Sequence, residues 1–320
     1  MSFSASAPAA WPALDFAAWR DSGATLQRWT QIVGKLRLSL SPWLNHGWQV
    51  PLYVSARGLS TSTIHAAPGR LIEVEFDLVS HRLAIRSSDA AERGFALAPM
   101  SVAAFHRRFL AELAALGVES RIHPRPNEVP DPIPFAEDET HAAYDPAAVH
   151  ALWRALTQAD RVFRRFRSGF LGKASPVHLF WGAFDLAVTR FSGRAAPLHP
   201  GGIPGLPDAV TREAYSHEVS SAGFWPGGDA YPQAAFYSYA YPAPAGFAEA
   251  LVEPAAAVWS GEMGEWLLPY EAVRSAEDPD ATLLRFLETT YRAAADLGGW
   301  DPSLECALGE PGRPRPVGPA

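Results

Sequence analysis

The chain carries 27 basic residues, yet only Lys35 and Lys173 are lysines. Where arginine meets almost every other need for a cation, a lysine points to a place requiring a compact ammonium that can be desolvated or fitted into a narrow site. Each follows a glycine, Gly34 or Gly172, at the end of an expected helix, where a cation is also worth about 0.3–1 kcal/mol against the helix dipole. Histidine offers the second chemistry. His217 and Glu218 stand side by side in YSHEVSS, where a zinc protease motif would need histidine at position 221, which is serine. On a strand their side chains would point to opposite faces. His178, His217 and Glu218 are the candidate acid–base groups, since an imidazole titrates near neutrality. His46, His178, His199 and His217 all fall near strand ends or Pro/Gly loops, and three of them converging would suit a divalent metal, with Glu218 or Asp185 adding an oxygen. Their spacings are too long to form a local signature. Trp48, Trp181 and Trp225 could wall a pocket, with Lys35, Lys173 and Arg190 completing its ligand-binding set. No phosphate-binding loop, nucleophile elbow or dinucleotide fingerprint occurs.

Composition limits what such residues can serve. Among 320 residues, 48% are hydrophobic and 19% charged, enough apolar surface for a sizeable core and too much for disorder over most of the length. A net charge of −7 gives no chain-wide field for nucleic acid or anionic lipid, so neither is an expected partner. Arg161, Arg164, Arg165 and Arg167 are interleaved with Val162, Phe163 and Phe166, the pattern of a solvated helix face. The single cysteine, Cys306, excludes an intramolecular disulfide and any C-x-x-C site. No signal-like start or membrane-spanning run is read, and a reducing, cytoplasmic setting is expected. Oligomeric state is not legible.

Positioning these groups falls to an α+β fold of two pseudo-repeated halves, each a largely antiparallel sheet with flanking helices. Residues 11–123 form the first half: an amphipathic helix from Asp15, β-rich stretches at 48–57, 71–78, 81–86 and 93–97, then a helix capped by Ser101 and closed by Gly117. Residues 124–146, with six prolines, read as a linker. The second half, 147–300, has a helix at 146–170, strands in VHLFWGAFDLAVTR and AAFYSYAY, and a helix over 280–297. Residues 1–10 and 309–320 are expected to be disordered. Trp48 to Arg57 and Trp181 to Arg190 share a spacing of nine residues, which supports an internal duplication.

The segments WTQIVGK, NHGWQVPLYVSARGL, SPVHLFWGAFDLAVTRFSGR, HPGG and REAYSHEVSSAGFWPGG resemble an uncharacterised bacterial family, a domain of unknown function in actinobacteria and proteobacteria. The resemblance runs from about Trp11 to Trp300. It implies one compact bacterial protein and brings no established activity. Two readings stand: an enzyme acting on a small polar metabolite in a His/Lys/Trp-lined cleft between the halves, and a non-catalytic ligand-binding or interaction module.

Overall fold

The structure, a computed structural model, describes residues 10–229 and 231–307. The expectation of disordered ends therefore lies, Ala10 apart, outside the described residues.

Helix α1 (Phe16–Leu40) starts where the Asp15 carboxylate accepts from the Ala17 amide, and it runs through Gly34-Lys35 without stopping. A Cβ at position 34 would meet the Trp181 indole at 2.1 Å, so this glycine permits a close approach and does not end the helix as expected. The first sheet follows: β1 (Tyr53–Val54), β2 (Gly58–Ser60), β3 (Ile64–Ala67), β4 (Arg70–Asp77), β5 (Arg82–Ser87) and β6 (Glu92–Ala96), in the order β1-β2-β4-β5-β6 with β3 also on β4. The alternation in β4 sends Ile72, Val74 and Phe76 into the core. On the other face Glu75 and Asp77 pair with Arg86 and Arg57 at 2.8 and 2.6 Å. Helix α2 (Val102–Ala115) begins at Ser101, whose hydroxyl accepts from Ala104. Its Phe105 is sandwiched between Trp29 of α1 and Phe76, with ring centroids 4.9 and 6.1 Å away.

The second half is α3 (Pro146–Arg167), β7 (His178–Phe180), β8 (Asp185–Ala195), α4 (Asp208–Ala214), β9 (His217–Trp225), β10 (Ala235–Tyr241), β11 (Val258–Ser260), β12 (Glu265–Pro269), α5 (Tyr270–Arg274) and α6 (Pro279–Leu297). Its antiparallel order is β11-β12-β10-β9-β8-β7. Helices α3 and α6 pack on one face, over Leu186, Val188, Phe224, Phe236 and Leu268, all fully buried. The arginine run at the end of α3 is held at its surface: Arg161 pairs with Asp280 and Arg164 with Asp160. No helix among the described residues is long and apolar enough to cross a membrane.

The fold is α+β with two halves, each built around a six-stranded antiparallel sheet. A bridge joins the two sheets edge to edge, with Leu52 and Leu179 exchanging backbone hydrogen bonds of 2.9 and 2.7 Å. One buried apolar cluster extends from Trp11 to Ala295. Residues 124–146 pack into it through Phe135 and Tyr144, and buried Asp138 faces Arg28 at 3.5 Å. The Trp-to-Arg match does not survive as matched elements: Arg57 lies in a bend, half-exposed against Asp77, whereas Arg190 is buried in mid-strand. Strand parity cannot relate Trp48 to Arg57, because a turn and a bend interrupt the segment.

Candidate functional site

Opposite α3 and α6, the second sheet bears a cavity of about 440 Å³ instead of a packed layer. Strand parity decides what it contains. The register aligns Leu267, Tyr237, Gly223, Ala187 and His178 in one row across β12, β10, β9, β8 and β7, and every side chain in that row is on this face. Asp185, Thr189 and Phe191 of β8, Val219, Ser221 and Trp225 of β9, Tyr239 of β10 and Glu265 of β12 share that face. Gly223 is the break in the row. A Cβ there would lie 2.3 Å from the Tyr237 hydroxyl, so only glycine lets the phenol cross β9 and donate its hydrogen bond to Asp185 Oδ2.

Irregular segments form the roof. Ile203, Leu206 and α4, with Thr211 and Tyr215, close one side, and the first half contributes His46, Trp48 and Val50. The cavity thus lies between the halves. Glu128 comes from the stretch read as a linker, and α1 places it. Gln27, Gln31 and Lys35 lie on one stripe of that helix, at i, i+4 and i+8. Gln27 donates to the Gly182 carbonyl at 2.7 Å. The fully buried Gln31 clasps the Asn127 backbone twice, at 2.7 and 2.8 Å, and Lys35 donates to the Asn127 side chain. Glu128 then rests on Gly182, where a Cβ would sit 1.9 Å from its carboxylate.

Three carboxyl groups therefore face one largely aromatic space. Burial pushes Asp185 up to about 6 against the opposing hydrogen bond from Tyr237. Burial, reinforced by the Asp185 charge, raises Glu128 and Glu265 to about 7 each, with Lys35 pulling Glu128 back. On the floor His178 is 0% exposed, neither ring nitrogen has a hydrogen-bond partner among the described residues, and burial lowers it to about 3, with Arg37 adding to the effect. It is a neutral imidazole. The Thr211 hydroxyl in the roof is equally buried and unpartnered.

His46 staples the rim. It adopts a left-handed backbone, φ 61°, and its amide donates to Glu213 at 3.0 Å. Its Nδ1 lies 3.3 Å from the Ala214 carbonyl, and Lys173 donates to Nε2 at 2.6 Å, which fixes the Nδ1–H tautomer. Burial, then Lys173, lowers its pKa. Glu128 and Phe184, the latter adjoining Asp185, also have positive φ, at 53° and 61°. Two of the seven described non-glycine residues in that region, His46 and Glu128, therefore line this cavity.

Of the residues singled out from sequence, His46, Trp48, His178, Trp181 and Trp225 line the cavity, with Asp185. Lys35 and Lys173 do not. They lie over Trp181 and Trp48, 5.3 and 5.4 Å from the ring centroids, and hold Asn127 and His46. Glu218 is on the opposite face, bound by Arg194 at 2.6 Å, and Arg194 also ties down the Gly298 and Gly299 carbonyls. Parity also sends Arg190 away from the cavity, 3.6 Å from the Phe166 ring centroid and donating to the Phe166 carbonyl. His217 shares the cavity face but lies off its lining, hydrogen-bonded to Ser216, with its ring 5.6 Å from that of His46. His199 stacks on Tyr215. Among the described residues no three His, Cys, Asp or Glu side chains are gathered as a metal would require, the four candidate histidines included. Sequence reading passed over Glu128, Tyr237 and Glu265. For Tyr237 and Glu265 a signal existed, since the alternation in AAFYSYAY and EWLLP puts polar groups on one face. A wider depression of about 1140 Å³ beside Arg161 is open to solvent, and Arg161 and Arg285 there pair with Asp280 and Glu253.

The chain belongs to a family of unknown function, DUF5996, whose model matches residues 11–306. No curated protein and no solved structure matches it.

Proposed function

We propose that the cavity over the second sheet is the binding site of a small molecule, and that its carboxyl groups exchange protons with that molecule, making the chain an acid–base enzyme. The carrying observation is the convergence of Asp185, Glu128 and Glu265, each raised toward neutrality, on one aromatic-walled space. A carboxyl group that titrates near the working pH can both give and take a proton, which is what acid–base catalysis asks of it. The volume suits a small ligand and rules out a macromolecule inside it. Backbone strain at His46 and Glu128 supports the reading, because strained residues persist where surrounding contacts hold them for a purpose. The proposed setting is a reducing cytoplasm, on the ground of the lone cysteine.

Asp185 is the proposed proton carrier: it is buried in the cavity lining and accepts from the Tyr237 hydroxyl. Glu128 and Glu265 would orient the ligand and tune Asp185 through charge. His178 would serve as a fixed neutral donor or acceptor. The protein should be incubated with a metabolite extract and the mixture followed by mass spectrometry. Wild type should deplete a compound that Asp185→Asn binds but leaves intact. If both bind it and neither turns it over, the chain is a binding module.

A further inference from the structure

We infer that the ligand is an organic cation: an aromatic or alkyl ammonium whose charged nitrogen lies among Asp185, Glu128 and Glu265. This rests on the small-molecule reading above and names its substrate class. Among the described residues the lining holds three carboxyl groups and neither lysine nor arginine. The nearest cations are held elsewhere: Lys35 on Asn127, Lys173 on His46, and Arg37 on the Pro51 carbonyl. An anionic ligand would meet three carboxyl groups and no cation among the lining residues. A neutral apolar ligand would leave three acids desolvated against it, a cost that nothing in the cavity offsets.

Three features fit an ammonium. The walls include Trp48, Trp181, Trp225 and Tyr239, rings of the kind that attract a cation through their quadrupole. His178 is a neutral imidazole, and neither its ring nitrogens nor the Thr211 hydroxyl of the roof has a partner among the described residues, so the lining keeps unused acceptors that an ammonium N–H would satisfy. Lastly, the three carboxyl groups lack a cation within the cavity to hold them ionised, and a bound ammonium would supply one. Binding then releases protons from Glu128, Glu265 and Asp185. The other titratable groups around them are His178, His46, Tyr215, Tyr237 and Tyr239, with Lys35 behind Glu128. Burial keeps His178 neutral and the tyrosines protonated and lowers His46 from its ordinary value, which leaves the carboxyl groups as the main source of the proton release.

Benzylamine, benzyl alcohol and benzoate separate the alternatives, with binding followed by tryptophan fluorescence and calorimetry at pH 5.5 and pH 8. Benzylamine should bind about tenfold tighter than benzyl alcohol at pH 8, the size of one well-placed charge contact. Its preference should shrink at pH 5.5, and calorimetry in buffers of different ionisation heat should show proton release. Glu265→Gln and Glu128→Gln, each checked by its melting curve, should weaken benzylamine binding more than benzyl alcohol binding and so remove the preference. Benzyl alcohol or benzoate binding as tightly as benzylamine would overturn the cation assignment and leave the small-molecule site standing. If no probe of any charge bound to the folded protein, the site itself would fall, and the inference with it.

Discussion

At the scale of single residues, the site depends on two side chains set against stability. Asp185 receives the Tyr237 hydroxyl only because position 223 has no Cβ. Gly223→Ala should therefore cost about 1–3 kcal/mol by overpacking against a rigid ring. It should also displace the phenol and raise the Asp185 pKa further, visible in a carboxyl-carbon NMR titration. Tyr237→Phe should give the same rise without the clash, which separates the hydrogen bond from the packing. His178 works the other way. Two buried ring nitrogens without partners are a standing cost, and a leucine of similar volume would remove both. His178→Leu should raise the unliganded protein's stability by about 1–2 kcal/mol in chemical denaturation and weaken ligand binding. If the variant is destabilised and binding is unchanged, His178 is structural.

At the scale of elements, α1 organises the site from outside it. Its stripe of Gln27, Gln31 and Lys35 fixes Gly182 and Asn127, and Gly34 admits Trp181. In an exposed helix Gly→Ala gains about 1 kcal/mol, but Gly34→Ala should lose about 1–3 kcal/mol, because the indole cannot yield to a methyl group. Lys35→Met should leave Glu128 in place less firmly and raise its pKa, since Lys35 is the charge that lowers it. The two lysines also act reciprocally: Lys35 of the first half lies over Trp181 of the second, and Lys173 over Trp48. Sequence showed the paired Gly-Lys and Trp positions but not that they exchange partners across the Leu52–Leu179 bridge. Helix boundaries were legible where caps announce them, at Ser101, Pro146 and Gly298, and strand parity correctly separated His217 from Glu218. Glu128 was not legible, because its place depends on a segment without periodicity, held by contacts to a helix nearly a hundred residues away. Glu218 and Arg190 drew attention by type and spacing, yet type cannot say which sheet face the core occupies.

At the scale of the molecule, the halves share one core, so unfolding should give a single calorimetric transition, and cleavage within 124–146 should yield no pair of separately stable fragments. The site leaves its mark on that transition through pH. Glu265 titrates near 7 when folded and near 4.5 when unfolded, so between those values the folded state holds the extra proton. Its contribution is therefore most favourable at low pH and is lost as pH rises toward 7. Asp185 and Glu128 have the same sign, in windows from about 4 to 6 and about 4.5 to 7. His178 has the opposite sign: its folded value near 3 lies below the ordinary 6.5, so protonating the unfolded chain costs stability as pH falls through that window. The wild-type profile mixes both, and a difference between variants does not. Glu265→Gln, which cannot ionise, should match wild type at pH 4.5 and exceed it by about 1–2 kcal/mol at pH 8, the partial exposure of Glu265 reducing the full linkage value. A saturating organic cation should erase that gain, since it stabilises the ionised carboxylate that the variant lacks. An offset between the two proteins that stays constant from pH 4.5 to 8 would show that Glu265 does not titrate differently on folding, and would remove it from the proton-exchanging set.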